Sequence, residues 1–226
     1  GVPGMKAFEE TLKYAAEKGL IVIADAKRND IGSTAAWYSK AFLGNTDLNG
    51  NALRAFPADY LTVNGYLGTD GIQPFAQDCS ERNKGIFVLV KTSNPSSGEL
   101  QNLLLENGLP VYEYMGGLVE KWGESTVGRY GYSAVGAVVG ATHPEEAARL
   151  RKVLPHTFFL IPGYGAQGAN AQMLKCCFKE DGLGGVVNNS RGILCAYKKN
   201  GGSYFDAARA AAVAMQKDLS EVIGRM

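Results

Sequence analysis

The sequence is short of the residues that build metal centres. It has two histidines, His143 and His156, and four cysteines, Cys79, Cys176, Cys177 and Cys195. Cys176 and Cys177 are adjacent, and no set among the six has metal-ligand spacing. The thiols read as ordinary reduced groups. An excess of charge of one sign is also missing: 23 basic residues face 22 acidic ones, for a formal net charge of +1. A nucleic-acid partner would require a basic face, so none is expected. No apolar run approaches the ~20 residues of a membrane span. No basic stretch followed by an apolar one stands near Gly1, so no secretion signal is read there. Low-complexity linkers are absent, and residues 1–226 read as a single domain. With 46% hydrophobic residues, the chain can bury a substantial core.

What is present is alternation. Short, nearly continuous apolar runs occur at Leu20 to Ala24, Tyr60 to Asn64, Ile86 to Val90, Val135 to Gly140, Phe158 to Pro162 and Gly185 to Asn188. Strands buried on both faces of a parallel sheet have this character. Helical periodicity lies between them, over Lys6 to Lys18, Ser33 to Leu43, Val111 to Trp122, Pro144 to Val153 and Phe205 to Ile223. Gly19 suits a helix stop, Thr142 can cap, and Pro144 suits a first turn. Trp37, Tyr38 and Phe42 read as packing groups on one helix, and His143 as a helix-start residue. The pattern is that of an α/β fold, doubly wound or barrel.

Function in such folds gathers at the carboxyl ends of the strands. The first run leads into Asp25-Ala26-Lys27, where residues two apart point the same way. Asp30 follows at the turn. Two carboxylates and an ammonium in one small region can hold a substrate charge and deliver a proton. The plainer reading is a solvated strand exit with Asp30 capping the next helix. The fifth run leads into Pro162-Gly163-Tyr164-Gly165-Ala166-Gln167-Gly168, and the sixth into Asn189-Ser190-Arg191-Gly192. Glycines let backbone amides approach an anion, and Arg191 can grip phosphate oxygens. Either loop alone is an ordinary turn, but together they point to a (β/α)8 TIM barrel, whose phosphate site often follows strands seven and eight. On that count strands 3–8 are visible, and the first two strands are missing from the chain. The third run leads into Lys91-Thr92-Ser93-Asn94-Pro95, which could hydrogen-bond a flat heterocycle or simply turn.

These motifs together resemble orotidine 5′-phosphate decarboxylase, and most closely a bacterial subgroup with a Thr-Ser-Asn-Pro segment. Asp25-Ala26-Lys27-Arg28-Asn29-Asp30-Ile31-Gly32-Ser33-Thr34 matches the family's Asp-x-Lys-x-x-Asp signature and its trailing threonine, and the two glycine-bearing loops match its phosphate loops. The resemblance implies loss of carbon dioxide from orotidine 5′-monophosphate to give UMP, in de novo pyrimidine biosynthesis, without a cofactor or metal and in the cytoplasm. It implies Lys27 as proton donor to C6, with Asp25 beside the departing carboxylate. Asp30 and Thr34 would serve the neighbouring subunit of a homodimer. Ser93 would read the pyrimidine, and Gln167 would bridge base and phosphate. Pro162 would begin the first phosphate loop, and Arg191 and Gly192 would hold the phosphate. The family's upstream substrate-binding aspartate and second active-site lysine have no counterpart in this chain. Two rivals stand beside this reading. One is a related magnesium-dependent decarboxylase of sugar-acid phosphates. The other is a non-catalytic barrel that binds phosphate ligands.

Overall fold

The computed structural model describes residues 1–165 and 168–224, with backbone only at residue 200. Its elements, in order, are α1 (Val2–Glu17), β1 (Ile23–Arg28), α2 (Gly32–Phe42), β2 (Thr46–Leu48), β3 (Asn51–Leu53), β4 (Tyr60–Val63), α3 (Thr69–Arg82) and β5 (Gly85–Lys91). There follow α4 (Gly98–Gln101), α5 (Val111–Gly123), β6 (Val135–Val139), α6 (Pro144–Val153), β7 (Phe159–Pro162), α7 (Ala171–Leu174), β8 (Gly185–Asn188), α8 (Ser190–Leu194), α9 (Tyr197–Asn200) and α10 (Tyr204–Ile223). Six strands form one sheet in the order β1-β4-β5-β6-β7-β8. Pairing is parallel between β1 and β4, β4 and β5, and β7 and β8. Five of the expected strands are present near their expected places, while the first begins later than expected, at Ile23 instead of Leu20, and runs through Asp25-Ala26-Lys27 to Arg28, because Leu20 and Ile21 are exposed. Among the described residues, no helix is long and apolar enough to cross a membrane.

The chain falls into two compact units, Gly1–Leu89 with Gly117–Ala137, and Val90–Gly116 with Val138–Met226. In the first, β4 and β5 are apolar almost throughout, and Leu61, Val63, Ile86 and Val88 are fully buried. Each such side chain contributes about 1.5–3 kcal/mol by leaving water. Phe8, Phe42 and Phe56 cluster with ring centroids 5.0 to 6.4 Å apart. Trp37, expected to pack, is instead 57% exposed, because the buried face of α2 runs through Ala35, Ser39 and Phe42.

Two elements of this unit escaped the periodicity. Helix α3 is polar overall and contains Pro74, yet it buries Ile72, Phe75 and Cys79 at helical spacing and ends on left-handed Asn83. The β2–β3 hairpin turns at Asn49-Gly50, with φ of 55° and 81°. Two consecutive positive values are what a tight type I′ turn demands.

In the second unit, the core runs through Val138, Val139, Leu150, Leu154, Phe159, Ile161 and Leu174. Helix α5 approaches closely at Gly116, where an added Cβ would lie 2.9 Å from Leu150. Thr142 does not cap α6. The cap position belongs to His143, and the Thr142 hydroxyl donates instead to the Ser93 carbonyl at 3.1 Å. The four cysteines are unpaired, and burial pushes the Cys79 thiol up to about 12.

Candidate active site

The first unit brings Asp25 and Lys27 together, but not by simple strand alternation. Ala24 pairs with Leu61 and Arg28 with Val63, so Asp25-Ala26-Lys27 stands opposite Thr62 alone. The surplus makes a bulge, and Lys27 takes it up with a left-handed φ of 48°. Such a backbone is uncommon for a residue with a Cβ and persists only where its surroundings hold it. Here the holder is Thr62, which is fully buried. Its hydroxyl accepts from the Lys27 amide at 2.9 Å and donates to Asp25 Oδ1 at 2.9 Å. Lys27 Nζ donates to the same carboxylate oxygen at 2.6 Å. Both charged side chains remain about half exposed, at 49% and 55%. The pair is therefore oriented from below by a buried hydroxyl and open above, as a proton donor needs to be.

Asp30 and Thr34 follow the strand, around the start of α2. Asp30 Oδ1 accepts from the amide of Ile31 at 2.8 Å, the α2 cap position belongs to Ile31, and Thr34 is exposed in the first turns of α2. Asp30 is thus not the helix cap of the plainer reading.

The second unit brings the two glycine-bearing loops together. Pro162 pairs with Asn188, so the loops after β7 and β8 leave the sheet side by side. Asn189 caps α8, accepting from the Gly192 amide at 3.1 Å. A Cβ at Gly192 would stand 2.2 Å from that side chain, and one at Gly165 would stand 3.3 Å from it. The Asn189 side chain therefore stands between the two loops, bonded to Gly192 and close beside Gly165. Arg191 is exposed beside them. The Gly192 amide is spoken for, while Ser190 and Arg191 occupy the first two helical positions, whose amides have no acceptor within a helix. Gln167 lies outside the described residues.

Ser93 is also in this unit. Its carbonyl takes the Thr142 hydroxyl, and its backbone lies so close to Gly140 that a Cβ there would stand 2.8 Å from Ser93 N and Cα. Gln101 holds the preceding residue from both sides, accepting from the Thr92 amide at 3.0 Å and donating to the Thr92 hydroxyl at 2.8 Å.

A model of the orotidine 5′-phosphate decarboxylase / HUMPS family matches residues 1–199. The chain belongs to this family. It is 48% identical over 195 residues to orotidine 5′-phosphate decarboxylase of Caldicellulosiruptor bescii, covering 86% of this chain and 64% of that one. It is 43% identical to the Rhodopirellula baltica enzyme of the same name, covering 97% of this chain and 74% of that one. The chain thus spans 64% to 74% of the length of these curated relatives. Among solved structures it is similar to Leishmania donovani OMP decarboxylase, with a TM-score of 0.77 and 31% identity, covering 99% of this chain and 76% of that one. The fold class of the family, the (β/α)8 barrel, is the one expected from the loops.

Sequence reasoning missed Thr62 and Asn189. Thr62 is the one threonine in an apolar strand run, a signal that has no meaning until the facing strand is known. Asn189 stands in the same motif as Arg191, but its role as a cap depends on where α8 begins.

Proposed function

We propose that the protein decarboxylates orotidine 5′-monophosphate to UMP, with Lys27 as proton donor to C6. The observation that carries this reading is the Asp25–Lys27 pair bulged over buried Thr62. The C6–carboxylate bond breaks, carbon dioxide departs, and the bonding electrons stay on C6. An ammonium already oriented by Asp25 stabilises that charge without reorganising and then gives up its proton to the carbon. Asp25 beside the substrate carboxylate adds repulsion that departure relieves. Ser93 is assigned to the pyrimidine, Gln167 to base and phosphate, and Pro162, Arg191 and Gly192 to the phosphate loops. Binding of the remote phosphate lowers the barrier by holding the ring in place. Asp30 and Thr34 are assigned, on the family resemblance, to the site of a second copy in a homodimer. The reaction takes place in de novo pyrimidine biosynthesis in the cytoplasm and calls for no cofactor.

The test is release of carbon dioxide from orotidine 5′-monophosphate by the full-length protein, with and without EDTA. Turnover should be indifferent to the chelator and fall by at least ~10²–10⁴-fold in Lys27→Ala. Chelator-sensitive decarboxylation of a sugar-acid phosphate instead would favour the magnesium-dependent relative. UMP binding that survives Lys27→Ala, with no turnover in the unaltered protein, would make it a binding module.

A further inference from the structure

Lys91 is the one charged side chain that is fully buried among the described residues. Its ammonium donates to Asn102 Oδ1 at 2.7 Å and to Ser97 Oγ at 3.3 Å, and lies 5.5 Å from the centre of the Tyr112 ring. His143 Nε2 meets the same Ser97 hydroxyl at 3.3 Å. Among the described residues no carboxylate forms an ion pair with the ammonium, and Glu146 acts on it only through its charge. Burial accordingly holds Lys91 below the usual lysine value, and burial followed by the Lys91 charge holds His143 below its own. A cation kept out of water with neutral partners is costly, and a methionine of similar length would fill the space without that cost. The feature calls for a purpose beyond packing.

Its partners indicate one. Lys91 ends β5, and its neutral acceptors sit on the excursion that follows, Ser97 in the short turn before α4 and Asn102 just after it. One ammonium thus gathers both limbs of the segment from Thr92 to Asn102. Gln101 closes the same segment onto Thr92 from the other side. The residue at its near end is Ser93, whose backbone is pinned by Gly140 and Thr142.

We infer that Lys91 is a positioning residue for pyrimidine recognition, its buried charge fixing the Thr92–Asn102 excursion so that the Ser93 hydroxyl is presented to the base. The inference rests on the nucleotide reading above. It makes a prediction that simple packing does not, because it concerns the base and not the phosphate. If the excursion is correctly folded only a tenth of the time, affinity for a base-bearing ligand falls about tenfold. A ligand that lacks the base loses nothing.

The experiment is titration of the full-length protein with UMP and, separately, with ribose 5-phosphate. Lys91→Met should weaken UMP by about tenfold or more and leave ribose 5-phosphate unchanged. Ser97→Ala and Asn102→Ala remove one acceptor each. They should shift UMP in the same direction by smaller factors, and they answer the question even if Lys91→Met does not fold. Equal losses for both ligands, or none for either in all folded variants, would overturn the inference. Failure of the unaltered protein to bind UMP at all would sink the nucleotide reading and this inference with it.

Discussion

Thr62→Val offers the sharpest test of how the Asp25–Lys27 pair is built. Valine has nearly the shape of threonine, so the buried site stays filled, but both hydrogen bonds of the hydroxyl vanish. The Lys27 amide then loses its acceptor at a residue whose backbone is already left-handed. An unmet amide costs about 1–3 kcal/mol, less whatever water recovers. The bond to Asp25 is charge-assisted, but the carboxylate is half exposed and water can replace much of it. Stability should therefore fall by about 2 kcal/mol, read from urea midpoints at constant slope. The effect on turnover should be larger. With the bulge relaxed, the ammonium is no longer aimed, and a misplacement of about 1 Å can cost roughly 10²-fold. Thr62→Ser keeps the hydroxyl and should keep most of the rate. A valine variant that decarboxylates at the unaltered rate, or a serine variant that fails as badly as valine, would refute the reasoning.

Three further outcomes are expected. Lys27→Ala should cost little stability despite its large effect on rate, since exposed ion pairs contribute about 0–1 kcal/mol; thermal melts check this. Gly192→Ala should drive the Asn189 side chain off its amide, costing about 1 kcal/mol as lost caps do, and calorimetric titration should show weaker binding of ribose 5-phosphate. The third concerns acid. Burial alone would raise the Asp59 carboxyl, but hydrogen bonds from Lys84 and the Val22 amide and the Lys84 and Arg54 charges pull it below 3.8. A lowered carboxylate stabilises the fold above its unfolded value and loses that contribution as pH falls through the folded value. The stability advantage of the unaltered protein over Asp59→Asn should hold from neutral pH down to about 3.8 and shrink below it, as followed by urea denaturation across the acid range.

The parts of the fold that could be read in advance have a common cause. Strands β4, β5, β6 and β7 announced themselves because burial on both faces leaves a run of apolar residues that needs no partner to be recognised, whereas β1 and β8 are only partly buried. Helices α1, α2, α5, α6 and α10 showed the same independence, since amphipathic spacing is local. Helix α3 did not, because Gly71 and Pro74 interrupt a polar segment whose three buried residues gain meaning only from the neighbours they meet. Thr142 illustrates the opposite error. Its position suited a cap, in which its hydroxyl would accept from a helix amide, but His143 takes the cap position and the hydroxyl donates to a carbonyl 49 residues earlier in the chain.

The site divides along the same line. The sequence by itself determined the motifs, for Asp25, Lys27, Asp30 and the glycine-bearing loops stand at a spacing written along the chain. Only the tertiary structure decided how they are held. Thr62 reaches Asp25 across 37 residues, and the bulge it supports replaces the plain alternation that the spacing suggested. Asn189 stands between one glycine-bearing loop and the other, and buried Lys91 finds its acceptors 6 and 11 residues away. The physical reason is that identity and spacing are properties of a segment. Burial and the choice of hydrogen-bond partner are settled by whichever distant group arrives first within about 3 Å.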